Sequence, residues 1–537
     1  MNPYGRTKMK KFVGVISLAL TVVIVAPSNV WAYDAQLSTT LVAEVPHELP
    51  APAIAVNEAG VSLVAWLGQD PSVTDADPDL ADNQVCTNDG EYCDIVYALV
   101  DENGTVLTDV QGISPFNVSY YYAAPSVTWN PDLNEWVVFM SSYDVEDGLW
   151  AQRVSEEGNL VGSAVSLPFD RVTAFDNRSS GAILDLPDMD DVVQISGEWS
   201  STDQAYFVTW YGNDNLISSD FDYGTNGSGN EAVFGVFLDG DLAITDGVDA
   251  SFIVSWDAQT DCCHVGLGYS EERNEWIVGW RGTNSDYTYA TVANPDAPEV
   301  SDDHIIVDIS DYTSVDNRNY NGGFVWVESE GKWFGTWALK TNELNEGVWG
   351  LFGSWISLDG TVSEPILIDS GTEVYLDAQS ANAETPVDPR RIMRQSIDLD
   401  AETGILHLAY SKDFNNTPDS QDEDTSADGY RQQAYYTTLD LTTEEVVDEY
   451  QLSEEWPLDS SRPRLDVNNG RVAITVQDWS NGDWEDPSEV RIVTLGEGRV
   501  SEDQLPNTGA SVGTAGMMGA LLLLAGAGVY AVRRRRV

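Results

Sequence analysis

Seven times along this chain of 537 residues, an apolar segment runs into a polar turn and out again into a second segment built like Trp-Val-Val-X-Trp. The clearest copies span 125–140 and 265–280, with second segments Trp136-Val-Val-Phe-Met140 and Trp276-Ile-Val-Gly-Trp280. A third spans 324–337, and weaker copies run 53–66, 193–210, 397–410 and 465–476. The second segments end at Trp66, Met140, Trp210, Trp280, Trp337, Tyr410 and Val476, in steps of 74, 70, 70, 57, 73 and 66 residues. Six copies continue into a third strand, an acidic or Gly turn and a fourth strand, as at 95–104, 149–158 and 353–360; the copy at 287–292 lacks the clean turn.

A unit repeated at this spacing buries its faces only against its neighbours. Four short strands per unit, repeated about seven times, predict an all-β chain folded as a β-propeller. The second segments are apolar almost throughout, as strands buried on both sides must be. Their Trp rings are large enough to fill the wedge between stacked blades. A string of β-sandwich modules would need longer units. After the strand expected at 490–495 little chain remains for a fourth, so the strand-like residues 36–44 are expected to supply the outer strand of the last unit and join the two ends.

The formal charge of −62 excludes recognition of nucleic acid through its phosphates, which needs a basic surface. With 42% hydrophobic residues and 18 Trp, the chain is not an acidic disordered tail either. Its four Cys and four His show no paired spacing of the kind zinc requires.

Both ends are cationic. Residues 1–32 join Arg6, Lys8, Lys10 and Lys11 to a short apolar run and a Val30-Trp31-Ala32 ending, and read as a secretory signal peptide cut after Ala32. At the other end Leu505-Pro506-Asn507-Thr508-Gly509 precedes an apolar stretch from about 512 to 532 and four terminal Arg. The stretch is long enough to span a bilayer, with the Arg held in the cytoplasm. These three parts in order resemble the LPXTG sorting signal of Gram-positive surface proteins. The resemblance implies that a sortase cuts between Thr508 and Gly509 and joins Thr508 to a peptidoglycan amine, so that only the precursor is held in the membrane. The expected layout is a signal peptide at 1–32, a ring-closing strand at 33–49, a propeller at 50–500 and the sorting signal at 501–537.

Loss of both ends leaves 18 basic against 88 acidic residues, a net charge of −70. Only Lys332, Lys340 and Lys412 remain as lysines, which argues against a pilin built of isopeptide-linked modules. Such acidity suits a saline habitat or Ca²⁺. The long acidic loops expected at 69–94, 213–231 and 412–429 carry Asp220-X-Asp222 and Asp422-X-Asp424, pairs that direct carboxylates to one hard cation. Ca²⁺ is the candidate cofactor there, against the plainer reading of solvated loops; no segment fits the EF-hand pattern.

Six of the remaining basic residues, Arg318, Arg390, Arg391, Arg394, Arg462 and Arg464, fall just before the first strands of consecutive units, where they would flank a central mouth. Arg grips a carboxylate in a two-point fork, so the cluster is a candidate site for an acidic ligand, unless it only offsets neighbouring acids. Trp479 and Trp484, among carboxylates in the last unit, would stack on a sugar or fill the wedge. Cys86 and Cys93 are expected to pair and stiffen the first long loop. The adjacent Cys262 and Cys263 keep cross-pairing open.

These features describe a wall-anchored surface protein whose propeller face binds an extracellular ligand: a glycan, a protein or Ca²⁺. One alternative is an extracellular glycan-active hydrolase on the same scaffold. Against it, the chain lacks sialidase-type Ser-X-Asp-X-Gly-X-Thr-Trp turns and any nucleophile elbow. A second alternative is a structural coat component. About ten residues separate the last strand from Leu505, so the domain should sit close to its attachment point.

Overall fold

The computed structural model describes residues 37–45, 51–71, 93–113, 125–141, 149–167, 172–175, 183–186, 191–213, 231–245, 251–258, 265–282, 286–308, 311–312, 314–341, 344, 349–370, 373–376, 384–387, 391–415, 430–452, 459–479 and 488–495. The chain divides into Met1–Asp34, outside the described residues, and Ala35–Val537. The second unit is an all-β, seven-bladed β-propeller.

Seven antiparallel sheets follow one another along the chain. Their innermost strands are Ala53–Val56 (blade 1), Ser126–Asn130 (blade 2), Asp191–Ser200 (blade 3), Gly266–Ser270 (blade 4), Ser314–Val327 (blade 5), Arg391–Asp400 (blade 6) and Asp459–Asn468 (blade 7). Each innermost strand lies beside the next, and that of blade 7 lies beside that of blade 1, so the ring is closed. The repeated Trp-Val-Val-X-Trp segments form the second strands: Ser62–Gly68, Glu135–Ser141, Ala205–Asn213, Glu275–Arg281, Lys332–Thr341, Ile405–Asn415 and Arg471–Trp479.

Seven buried clusters occupy the seven gaps between blades. Trp66, Trp136, Trp210, Trp276, Trp280, Trp333 and Trp337, all on second strands, are fully buried in them. Both faces of a second strand are therefore core, which explains why its residues do not alternate.

Blade 7 draws its strands from both ends of the domain. Its outer strand is Leu37–Val45, paired antiparallel with Ser488–Leu495 from Leu37↔Leu495 to Val45↔Ser488. Leu495 also pairs with Val472, which follows the tight Asn469-Gly470 turn. The chain thus enters its first strand and leaves its last on the face that carries the short turns joining first to second strands. Those turns, and the ones joining third to fourth strands, are locally determined. At 101–104, Asp101 Oδ1 accepts from Asn103 N at 2.9 Å and Thr105 N at 2.7 Å, and Gly104 takes φ +81°. That conformation suits glycine, which has no Cβ to clash.

Several details differ from the sequence reading. The arginines expected before the first strands of blades 5 to 7 mostly lie inside those strands. The innermost strands of blades 3, 6 and 7 run longer than the repeat suggested, each through a register shift: Val193/Ser196, Met393/Ser396 and Ser461/Arg464. A bulge of this kind bends the strand and lets pairing continue beyond the regular blade. Two small hairpins, Val172–Phe175 with Ile183–Leu186 and Glu373–Leu376 with Glu384–Val387, lie in the connections into blades 3 and 6. In blade 4 the outer strand is split into Glu299–Val300 and His304–Val307, matching the missing clean turn there.

Candidate functional site

The innermost strands of all seven blades line an axial channel of about 530 Å³. A volume of this size accommodates a small ligand. Which side chains reach the channel follows from the repeat. In blades 2 to 7 the last pairs but one before the turn are Trp129↔Trp136, Trp199↔Tyr206, Tyr269↔Trp276, Trp326↔Trp333, Leu399↔Leu406 and Val467↔Val472. The residue before each first-strand member is Thr128, Glu198, Gly268, Val325, Asp398 and Asp466. Blades 3, 6 and 7 therefore place a carboxyl at one equivalent position, and Glu198, Asp398 and Asp466 all line the channel.

Each of the three retains some contact with the channel space while protein encloses it on every other side. That enclosure disfavours the charged form. Burial, reinforced by the charge of Asp466, pushes Glu198 up to about 7. Burial and the neighbouring Asp466 hold Asp398 well above the usual carboxylate range, against the pull of two backbone donors. Asp466 is also raised by burial, but a hydrogen bond from Asp398 and amide donors restrain it.

Two of these carboxyls also join blades. Val467 N donates to Asp398 Oδ2 at 2.8 Å, and Val56 N donates to Asp466 Oδ2 at 2.6 Å. Both bonds follow one rule: the acid accepts from the amide one position further along in the next blade. Leu399 N adds a local bond to Asp398 Oδ1 at 2.7 Å. Serines do similar work nearby. Ser396 Oγ accepts from Leu465 N at 3.1 Å, and Ser196 Oγ donates to the Val265 carbonyl at 3.3 Å.

Arg464 lines the channel with the acids. Arg462 stands close by in the bulge of the same strand, at φ +49°, its amide donating to Ser411 Oγ at 3.1 Å. Arg318 falls on the innermost strand of blade 5, and Arg391 and Arg394 on that of blade 6. Three consecutive blades thus carry these arginines on their inner strands. At the turn end of the channel stand Trp129, Trp199 and Tyr269. A guanidinium, three carboxyls, serine hydroxyls and aromatic rings therefore converge on one space. That set can hydrogen-bond hydroxyls, pair with a carboxylate and stack on an apolar ring face.

Trp479 ends the second strand of blade 7, whereas Trp484 and Arg390 lie outside the described residues. Asp220, Asp222, Asp422 and Asp424 lie outside them too. Among the described residues no group of three or more His, Cys, Asp or Glu is arranged to hold a metal ion. Cys93 is fully buried and disulfide-bonded; Cys86, Cys262 and Cys263 all lie outside the described residues. The segment 1–32 expected to be a signal peptide, the sorting motif Leu505 to Gly509 and the apolar stretch after it also lie outside. Among the described residues no helix is long and apolar enough to cross a membrane.

Residues 500–537 match the LPXTG cell wall anchor motif. No curated protein matches the chain. Among solved structures, hydrazine synthase of Kuenenia stuttgartiensis is similar at 10% identity over 83% of this chain and 96% of that one, with a TM-score of 0.41. The WD40 domain of Toxoplasma gondii coronin is similar at 10% identity over 88% of each chain, with a TM-score of 0.38. The periplasmic gluconolactonase of Pseudomonas aeruginosa shares 10% identity over 83% of this chain and 88% of that one, with a TM-score of 0.38. The anchor implies sortase processing and covalent attachment to peptidoglycan. With its anchor at one end and seven blades before it, the chain is a sortase-anchored cell-wall surface protein with a β-propeller ectodomain.

Proposed function

We propose that the protein binds an extracellular glycan in its axial channel, with the ring-lined turn end of that channel towards the wall. The observation that carries this reading is the convergence of Glu198, Asp398, Asp466 and Arg464 with Trp129, Trp199 and Tyr269 around one space of about 530 Å³. Carboxyls and a guanidinium satisfy sugar hydroxyls or a uronate, while rings stack on the sugar face. The position of the tether supports the orientation. The last described residue before the anchor, Leu495, sits at the face of short turns, with only nine residues between it and Leu505. Nine extended residues reach ~30 Å, so that face stays near the attachment point.

Glycan arrays of neutral and acidic oligosaccharides, probed with residues 33–508, test this. Glu198→Gln and Arg464→Ala should each weaken the best hit about tenfold or more, the effect of removing one charged hydrogen-bonding group. No binding to any glycan would favour a structural coat role instead.

A glycan-active hydrolase is the second reading, and the carboxyls favour it. Glu198, pushed up to about 7, is suited to donate a proton near neutrality. Product release from the array hits, abolished in Glu198→Gln while binding persists, would establish that reading. For the acidic loops bearing Asp220, Asp222, Asp422 and Asp424 we propose Ca²⁺ as the bound cation. Calorimetry with Ca²⁺ checks it, and an absence of both heat and thermal shift would end the proposal.

A further inference from the structure

Lys412, one of three lysines between Tyr33 and Thr508, is only 1% exposed. It lies on the second strand of blade 6, and its Nζ stands 2.7 Å from Oδ2 of Asp369, on the strand Ile366–Ser370 of blade 5. Asp369 is itself buried. The Tyr435 ring centroid is 4.0 Å from Nζ and that of Tyr410 is 5.7 Å away, so aromatic rings wall the pair from solvent. The Tyr410 hydroxyl donates to the same Asp369 oxygen and is bonded to Thr437 Oγ1 at 2.9 Å. Burial keeps that hydroxyl protonated far into the alkaline range. Glu449 Oε1 is 3.5 Å from Nζ on the other side, with its own side chain 45% exposed.

We propose that Lys412 and Asp369 condense into an amide, a covalent bond between blades 5 and 6. The reaction needs no further reagent. Lys412 Nζ gives up a proton to Glu449 and attacks Cγ of Asp369. A bond forms between Nζ and Cγ, and Tyr410 holds the oxygen that carries the charge of the tetrahedral intermediate. The other carboxyl oxygen takes up protons through Glu449 and leaves as water, by way of the exposed side of Glu449. One ammonium and one carboxylate become one neutral amide and one water, with no change of oxidation state.

Two physical arguments favour the condensed form. Groups held in contact react as though present at ~10⁵ M or more. A buried ion pair also bears the desolvation penalty of two charges, which a neutral amide escapes. The scarcity of lysine rules out many such links along the chain, but one well-placed lysine is enough for one.

Intact-mass measurement of residues 33–508, with the disulfide state fixed, tests the proposal. The expected result is a chain lighter by one water. Proteolysis should release a branched peptide joining the segments of Asp369 and Lys412, and Lys412→Arg should restore the full mass. A natively folded chain at full mass after prolonged incubation would overturn the proposal. So would a water loss that persists in Lys412→Arg or maps to other residues.

Discussion

Blades 2 to 5 and blades 6, 7 and 1 close the same ring by different chemistry. In the first arc the innermost and second strands meet through aromatic pairs. Ring centroids are 4.7 Å apart in Trp129–Trp136, 4.5 Å in Trp199–Tyr206, 4.8 Å in Tyr269–Trp276 and 5.3 Å in Trp326–Trp333. Three of these rings also reach back to the preceding blade. Trp129 Nε1 donates to Glu58, Trp199 Nε1 to Asp132 and Trp326 Nε1 to Glu272, at 2.8, 2.8 and 3.0 Å. Six of the twelve residues in the core between blades 3 and 4 are aromatic.

In the second arc the equivalent pairs are Leu399–Leu406 and Val467–Val472. Among the buried residues described, the core between blades 7 and 1 has Trp66 as its one aromatic residue, and that between blades 6 and 7 has Tyr436, with half-buried Tyr450 packed against it. Here the blades are joined by carboxyls accepting from backbone amides, Asp398 to Val467 and Asp466 to Val56. Large rings and directional hydrogen bonds are thus alternative ways to hold wedge-shaped neighbours. The hydrogen-bonded arc also carries two of the three channel acids, Asp398 and Asp466, so site and seam coincide there.

The largest expected effect comes from the seam itself. Removing residues 37–45 strips Ser488–Leu495 of its partner and takes Val42 and Val45 from the core between blades 7 and 1. The melting temperature should fall by about 10 °C or more; an unchanged thermal scan would show that the ring does not depend on this strand. Next comes the aromatic arc. Trp276→Ala should cost about 3–5 kcal/mol by denaturant titration, whereas Ile492→Val in the aliphatic seam should cost about 0.5–1.5 kcal/mol. Equal losses would erase the distinction between the arcs.

Smaller effects separate the two kinds of hydrogen bond. Asp466→Ala leaves Val56 N without its acceptor and should cost about 1–3 kcal/mol. The channel acids should also respond to pH. Glu198 is raised from 4.5 to about 7, so the folded state holds its proton more tightly than the unfolded chain. Its contribution is fully present below the unfolded value and is lost as pH rises towards 7. Melting temperatures should decline across that window, and Glu198→Gln should flatten the decline. An unaltered pH profile in the variant would remove the channel carboxyl from the account. Smallest of all, Trp199→Phe keeps the ring but loses the bond to Asp132, at a cost of about 0.5–1.5 kcal/mol by chemical denaturation.

The sequence reveals the second strands because a strand buried on both faces leaves a dense apolar run that recurs. Every predicted end, from Trp66 to Val476, falls within a second strand. Innermost strands are harder to read, since one side faces the channel and their composition is mixed. Glu198-Trp199, Asp398-Leu399 and Asp466-Val467 look like ordinary polar-apolar steps in isolation. Only alignment of the repeats on the position before Trp129, Trp199, Tyr269 and their counterparts shows the acids to be equivalent, and such an alignment could have found them. Arg464 appeared first as one member of a cationic rim, but the bulge carries it into the strand and beside the acids. Bulges arise from pairing across strands and leave no local signal in composition.

The proposed function requires the axial channel to receive an extracellular sugar. A crystal structure of residues 33–508 with the strongest oligosaccharide from the arrays tests it most directly. Sugar density should lie inside the channel, within hydrogen-bonding reach of Glu198 and Arg464. Density confined to another surface, with the channel free of sugar, would contradict it.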